Sequence, residues 1–385
     1  MQVDFYRHDL KPSAANAIAQ VIGTPFLTSG SVGREVEKQI ADYFGAKHAL
    51  LVSNWTSGAI ATLLAFDIGP GDEVIVPAMT FIATANVVEL LGARPVFVDV
   101  DPETLLVSPD MIARAVTPRT KAVIPVHIYG QMLDIAAVRA ALHDRPDIAI
   151  LEDCAHCFEG ELAGQKPGAH SSAAIFSFYA TKNVTCGEGG AIVTNQSDVY
   201  QMLLQTRMHG MSVGAMDRFK TGGYRHWDME RLGVKANLPD LLAALLPPQI
   251  ATIDERLPQR ERIALRYERA FANLPIRMPR SLTNSKHARH LFPIHVPPTL
   301  RDEVLALFAE RKIGCTVNYR SVPTLSYYRN NYSYEPENFP VSHDWGSGTI
   351  TLPLYPSLAR DAQDHVIDVV RNEVVPKIDS ALSAA

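Results

Sequence analysis

Between residues 147 and 195 the chain carries an acidic pair, a lysine just past an apolar run and a glycine-rich turn in close succession. An apolar run ends in Glu152-Asp153. A Gly-dotted loop follows, then a second apolar run, Ala173 to Phe178. Lys182 comes four residues later, just ahead of Gly187-Glu188-Gly189-Gly190. Taken alone, the lysine would read as a solvated surface residue and the aspartate as a turn or helix cap. Their order and their separation of 29 residues leave room for one loop and one strand. An Asp closing one strand and a Lys just past the next suit pyridoxal 5'-phosphate (PLP). The amine can condense with the aldehyde, and the carboxylate can keep the pyridine nitrogen protonated, which makes the ring an electron sink.

The elements that must position these residues alternate in type. Short apolar runs at Ala49–Val52, Glu73–Pro77, Pro95–Asp99, Lys121–Val126 and up to Asp153 read as strands. Amphipathic runs at Ala59–Phe66, Ile82–Leu91, Ser108–Val116 and Asp134–His143 read as the helices between them. This pattern predicts β-α-β units and a largely parallel sheet, in which ligands bind beyond the carboxyl ends of the strands. Thr56, Phe81, His127 and Asp153 each fall just past a predicted strand, so four separate segments are expected at one edge. Ser53-Asn54-Trp55-Thr56-Ser57-Gly58 leads into a helix start, where free N–H groups and the positive dipole end can hold a phosphate. It can equally be an ordinary N-cap.

Within this stretch Glu152-Asp153-x-Ala155-His156, Phe176-Ser177-Phe178-x-x-x-Lys182-Asn183 and Gly187-Glu188-Gly189-Gly190 resemble the sugar aminotransferases of the DegT/DnrJ/EryC1/StrS type. Pro125-Val126-His127-x-Tyr129-Gly130-Gln131 and the segment Phe26 to Glu37 carry the same resemblance. It implies the α/β architecture of fold-type I PLP enzymes, with a mostly parallel seven-stranded sheet and a small C-terminal α+β domain. It further implies that Lys182 and Asp153 are catalytic and that Phe81 stacks on the cofactor ring. His156 would contact the ring hydroxyl, and Thr56, Ser57 and Ser177 the phosphate. Asn237 would reach the phosphate of a partner subunit in a homodimer with shared sites. The cofactor would cycle between PLP and pyridoxamine phosphate (PMP). The donor would be an amino acid, glutamate by analogy, and the acceptor a nucleotide-linked keto-sugar. Thr185 and Glu188, expected beside the lysine, resemble the branch acting at C-4 of a 4-keto-6-deoxyhexose. Amination at C-3, or of a keto-cyclitol, is the alternative. A PLP-binding regulator without turnover is a more distant one, since the start of the chain is too short for a helix-turn-helix. Related dehydratases carry His where this chain keeps Lys182. Trp55 and Asn318 depart from the family pattern, which has a small residue and often a His there.

Composition bounds the rest. With 385 residues two domains are expected, 1–246 and 247–385, with a seam at Pro247-Pro248. The helical stretch from Gln249 to Ala272 should kink or restart at Pro258. Beyond it, runs at Phe292–Val296 and Thr349–Leu352 read as strands around a helix Arg301–Lys312. Ser326–Asn338 reads as a surface loop and Ala362–Leu382 as the last helix. Residues 211–233 read as a long loop lining the site. A formal net charge of −5 argues against bulk nucleic-acid binding. No apolar run reaches membrane-spanning length and no signal peptide is evident, which points to a cytoplasmic protein. Cys154 and Cys157 have CxxC spacing without a second pair. Free thiols are expected rather than a metal or a disulfide.

Overall fold

A computed structural model describes residues 1–212 and 226–383; most of the expected site-lining loop therefore lies outside the described residues. Two helices come first, α1 (Ala14–Ile22) and α2 (Ser31–Phe44). Gly45 ends α2 in the left-handed region (φ 61°), the backbone state that favours glycine at a helix stop. Then β1 (His48–Val52), α3 (Trp55–Ala65), β2 (Glu73–Pro77), α4 (Ala83–Leu90), β3 (Arg94–Val98), α5 (Pro109–Ala115), β4 (Thr120–Val123), α6 (Ile135–Ala141) and β5 (Ala149–Asp153) alternate as the pattern requires. A two-residue strand β6 (Glu161–Leu162) precedes β7 (Ala173–Ser177) and β8 (Gly190–Thr194), and α7 (Ser197–Thr206) follows. Seven strands join in the order β1-β8-β7-β5-β4-β2-β3. β3, β2, β4, β5 and β7 run parallel, and β8 is antiparallel to both β7 and β1.

The parallel strands are buried along nearly their whole length, as expected for a sheet covered by helices on both faces. Three apolar clusters lie against this sheet. A fourth gathers Val3, Ile263, Phe271, Ile294, Phe308 and Val366. That cluster is built by α9 (Pro247–Phe271), the paired strands β10 (Phe292–His295) and β11 (Thr349–Leu352), α10 (Arg301–Glu310), α13 (Arg360–Val369) and α14 (Val375–Ser383). The short α8 (Asp240–Ala243) precedes α9, and β9 (Ser285–Lys286) pairs with β6.

Two local expectations need correction. Helix α9 continues through Pro258 and does not restart there. The proline leaves the Asp254 carbonyl without a helical donor, but both residues are on the solvent face, where water can satisfy it. Ser326–Asn338 is not a loop: it contains α11 (Ser326–Tyr332), followed after Phe339 by α12 (Pro340–Gly348). Tyr328 of α11 is buried edge-on to Phe97 at 5.1 Å and donates its hydroxyl to Asn86 Oδ1 (2.8 Å). The final helix begins at Arg360 and passes through a π-turn at Val370–Val374.

Candidate active site

β5 sorts its acidic pair by strand alternation, which sends neighbouring side chains to opposite faces. Glu152 points inward and is fully buried. Its Oε2 meets His127 Nε2 (2.7 Å), and its Oε1 accepts from Gly168 N–H (2.8 Å). His127 Nδ1 accepts from Leu133 N–H (2.9 Å), so Nε2 carries the hydrogen and donates it to Glu152. His127 is therefore an interior strut and does not join the edge where it was expected. His127, Glu152 and Cys154 form the group of potential metal ligands among the described residues, but both ring nitrogens of His127 are already engaged. Cys154 and Cys157 are free, buried thiols.

Asp153 points the other way, into a cleft of about 530 Å³. Thr56, Phe81, His156, Ser177 and Lys182 line the same cleft, with Trp55, Thr84, Glu188, His290, Asn318 and Tyr319. The Asp153 carboxylate is held from two sides. Oδ2 accepts from Thr84 Oγ1 (3.0 Å), itself 2.9 Å from Thr80 Oγ1, and Oδ1 accepts from Ala155 N–H (3.0 Å). Burial raises its pKa, while Ala155, Thr84 and Lys182 oppose the rise. Burial lowers Lys182 to about 8, and Asp153 pulls the other way. A carboxylate and an amine in one poorly hydrated cleft can hold a ring nitrogen and condense with an aldehyde.

His156 has both nitrogens engaged. Nδ1 accepts from Tyr129 N–H (3.2 Å), which places the ring hydrogen on Nε2, 3.0 Å from Tyr319 Oη. Burial, with Lys182 second, holds its pKa well below the usual value, so the ring is neutral. The Tyr319 hydroxyl accepts from His156 and keeps a hydrogen of its own to give. Phe81 is half exposed, with its ring 5.8 Å from that of Tyr319.

At the β1–α3 corner Asn54 caps the helix, its Oδ1 accepting from Ser57 N–H (2.8 Å), a contact worth about 1 kcal/mol. The Thr56 amide in the first helical turn has no intrahelical acceptor. Trp55 does not disturb this path. Its ring is buried in the core cluster, and its Nε1–H has no partner among the described residues. Gly190 lets β8 pass close to this loop: a Cβ there would meet Phe176 O at 2.6 Å and the Asn54 carbonyl carbon at 3.1 Å. Ser57 is not in the cleft lining; its hydroxyl bonds Ser53 Oγ (2.7 Å) and Asn54 Oδ1 (2.8 Å). Asn237 lies apart as well, donating to Thr28 Oγ1 (2.8 Å) and Ser29 Oγ (3.1 Å). Of the pair expected beside Lys182, Glu188 lines the cleft, but Thr185 is buried beneath it. Thr185 donates its hydroxyl to Phe178 O (3.1 Å); its backbone N–H donates to Gln249 Oε1 (3.1 Å) and its carbonyl accepts from Gln249 Nε2 (2.7 Å).

Thr84, His290 and Tyr319 were not singled out from the sequence. Tyr319 adjoins Asn318, noted above as a departure from the family pattern, which was its only signal.

Comparison with known proteins gives concordant results. The sequence profile of the DegT/DnrJ/EryC1/StrS aminotransferase family matches residues 8–371. The spore coat polysaccharide biosynthesis protein SpsC of Bacillus subtilis is 37% identical over 363 residues, 93% of either chain. The putative sugar aminotransferase Spr1654 from Streptococcus pneumoniae, in its PMP form, superposes with a TM-score of 0.91 at 25% identity, covering 98% of this chain and 100% of that one. Spr1654 has also been solved in a PLP form. S. venezuelae DesV superposes with a TM-score of 0.86 at 31% identity over 93% of each chain. The donor set agrees with PLP: an amine and a carboxylate in one cleft, hydroxyls at Thr56 and Ser177, and a first-turn amide at Thr56 with no intrahelical acceptor.

Proposed function

This chain belongs to the DegT/DnrJ/EryC1/StrS aminotransferase family, and from that premise we propose that it moves an amino group from L-glutamate to a nucleotide-linked 4-keto-6-deoxyhexose. It is a PLP-dependent sugar aminotransferase; the donor, the nucleotide linkage and the carbon aminated are the proposed parts. When bound, PLP supplies the electron sink and carries the amino group between the two substrates as PMP.

In this reading Lys182 attaches the cofactor and moves a proton at the amino-bearing carbon. A pKa near 8 keeps a useful fraction of the amine neutral. Asp153, oriented by Thr84 and the Ala155 amide, would hold the pyridine nitrogen. Phe81 covers the ring. The His156–Tyr319 pair offers the Tyr319 hydroxyl toward the ring oxygen. Thr56 and Ser177, which line the cleft, would take the phosphate, with Asn237 of the partner subunit in a homodimer. Four unpaired thiols suit the reducing cytoplasm.

The observation that carries the reading is the joint placement of Lys182, Asp153 and Glu188 in one cleft of about 530 Å³, a volume typical of ligand sites. The choice of C-4 rests on Glu188 and on the sequence following Lys182, Thr185 having no face on the cleft. The family relationship to SpsC, named for polysaccharide biosynthesis, supports a sugar acceptor. The test offers matched 3-keto and 4-keto sugar nucleotides with glutamate and locates the new amine by NMR. A C-4 amine is expected. Amination at C-3, or turnover only of a free cyclitol ketone, overturns the choice.

A further inference from the structure

A line of buried polar side chains runs from α9 to the cleft behind Lys182. Arg260 and Glu159 form an ion pair with 2% and 0% of their side chains exposed. Asn183, the residue after Lys182, donates from Nδ2 to Glu159 Oε1 (2.8 Å) and to Ala288 O (2.9 Å). Both amide hydrogens are thereby used, so the amide orientation is set by its partners. Its Oδ1 is then the atom 3.1 Å from His290 Nδ1. An amide oxygen only accepts, so His290 carries its hydrogen on Nδ1, and Nε2 is a bare lone pair. His290 lines the cleft with Lys182, and Nε2 has no hydrogen-bond partner among the described residues.

The loop that presents His290 is held firmly. Ala288 N–H donates to Gly130 O (2.8 Å) and His290 N–H to Tyr129 O (3.1 Å). Arg289 between them adopts a left-handed backbone (φ 47°), a conformation costing a non-glycine residue about 1–2 kcal/mol. Ion pairs to Glu261 (2.8 Å) and Glu268 (2.7 Å) keep it there. Strain held by several partners next to a reactive group is a pattern of functional loops.

We propose that His290 is a positioning residue for Lys182, its Nε2 lone pair accepting a hydrogen from the lysine ammonium whenever the lysine is not joined to the cofactor. The bond fixes where the free amine rests and favours its protonated form. This rests on Lys182 being the attachment point. The other titratable groups lining the cleft around Lys182 are Asp153 on β5, His156 after it, Tyr179, Glu188 before β8 and Tyr319. On Lys182 itself burial lowers the pKa and the Asp153 charge raises it. Burial first, and then the Lys182 charge, holds His290 neutral, as an acceptor must be.

The test begins with borohydride reduction of the PLP-loaded protein and mapping of the labelled peptide. Label on a lysine other than Lys182 removes the underlying reading itself. With the label on Lys182, the enzyme is loaded with PMP, which leaves the lysine free, and its titration is followed by competitive acetic anhydride labelling and mass spectrometry. His290→Phe should lower the Lys182 midpoint by about one pH unit, raising labelling at pH 7 about five-fold. His290→Gln, whose amide oxygen reaches the Nε2 position, should stay near wild type. Equal midpoints in wild type and His290→Phe, or equal shifts in both variants, overturn the inference. If neither variant folds, ¹⁵N-histidine NMR of the wild-type PMP form decides: His290 protonated on Nδ1 supports it, and on Nε2 refutes it.

Discussion

Replacing Arg260 by Met isolates the buried ion pair that anchors the catalytic neighbourhood. Arg260 and Glu159 are both shut away from solvent, and Arg260 Nε also donates to Ala288 O (3.3 Å). Methionine fills similar space without the charge. The Glu159 carboxylate is then buried with only the Asn183 amide for company. Breaking one side of a buried pair costs roughly 3–5 kcal/mol because the remaining charge is uncompensated. Unfolding entropy of about 2.1 cal/mol/K per residue over 385 residues gives about 0.8 kcal/mol per degree, so the melt should fall by roughly 4–6 °C. The double variant Arg260→Met/Glu159→Gln removes both charges, while the oxygen of the introduced amide can still accept from Asn183. It should recover most of the loss. Scanning calorimetry of wild type, both singles and the double at one pH makes the comparison. An Arg260→Met melt within about 1 °C of wild type, or a double variant less stable than the single, refutes the reasoning.

Asp153→Asn keeps the two hydrogen-bonded neighbours in place but loses the negative charge proposed to face the ring nitrogen. Folding and cofactor retention should survive, and kcat should fall by about 100-fold or more, read in steady-state assays; near wild-type turnover would make Asp153 structural only. The lowered pKa of Lys182 gives a signed pH dependence. Between its folded value near 8 and the ordinary 10.5, the unfolded state binds more protons, so cofactor-free protein should gain stability as pH rises through that window. Lys182→Met should flatten that slope in denaturant titrations. For the proposed shared site, inactive Lys182→Ala chains mixed with inactive Asn237→Ala chains should recover activity on subunit exchange. No recovery despite proven exchange would mean independent sites.

Sequence and structure contributed differently. The strands of the large sheet were legible because alternation, apolar runs and Gly or Pro breaks are local properties. Gly45 and the caps at Asn54, Ser108 and Asp134 likewise act within a few residues. Asp153 and Lys182 were legible as a pair, since a strand end followed by a second strand end forces both to one edge of a parallel sheet. Ser326–Asn338 misled because Tyr and Asn are indifferent helix formers. Burial of Tyr328 against Phe97, more than 200 residues away, decides that helix.

What the chain by itself determined is the sheet, its helices and the two residues with the strongest chemical signature. Which side chains surround those two was decided by tertiary structure. Thr84 reaches Asp153 across 69 residues, Asn183 reaches His290 across 107, and Tyr319 reaches His156 across 163. No local pattern encodes such pairings. His127 and Asp153 looked equivalent as strand-end residues, yet one is an inner strut and the other opens on the cleft. Thr185 and Glu188 are three residues apart, and only Glu188 faces the ligand space. The physical reason is that periodicity fixes which way a side chain leaves its own strand or turn, while what it meets is set by the packing of every other element.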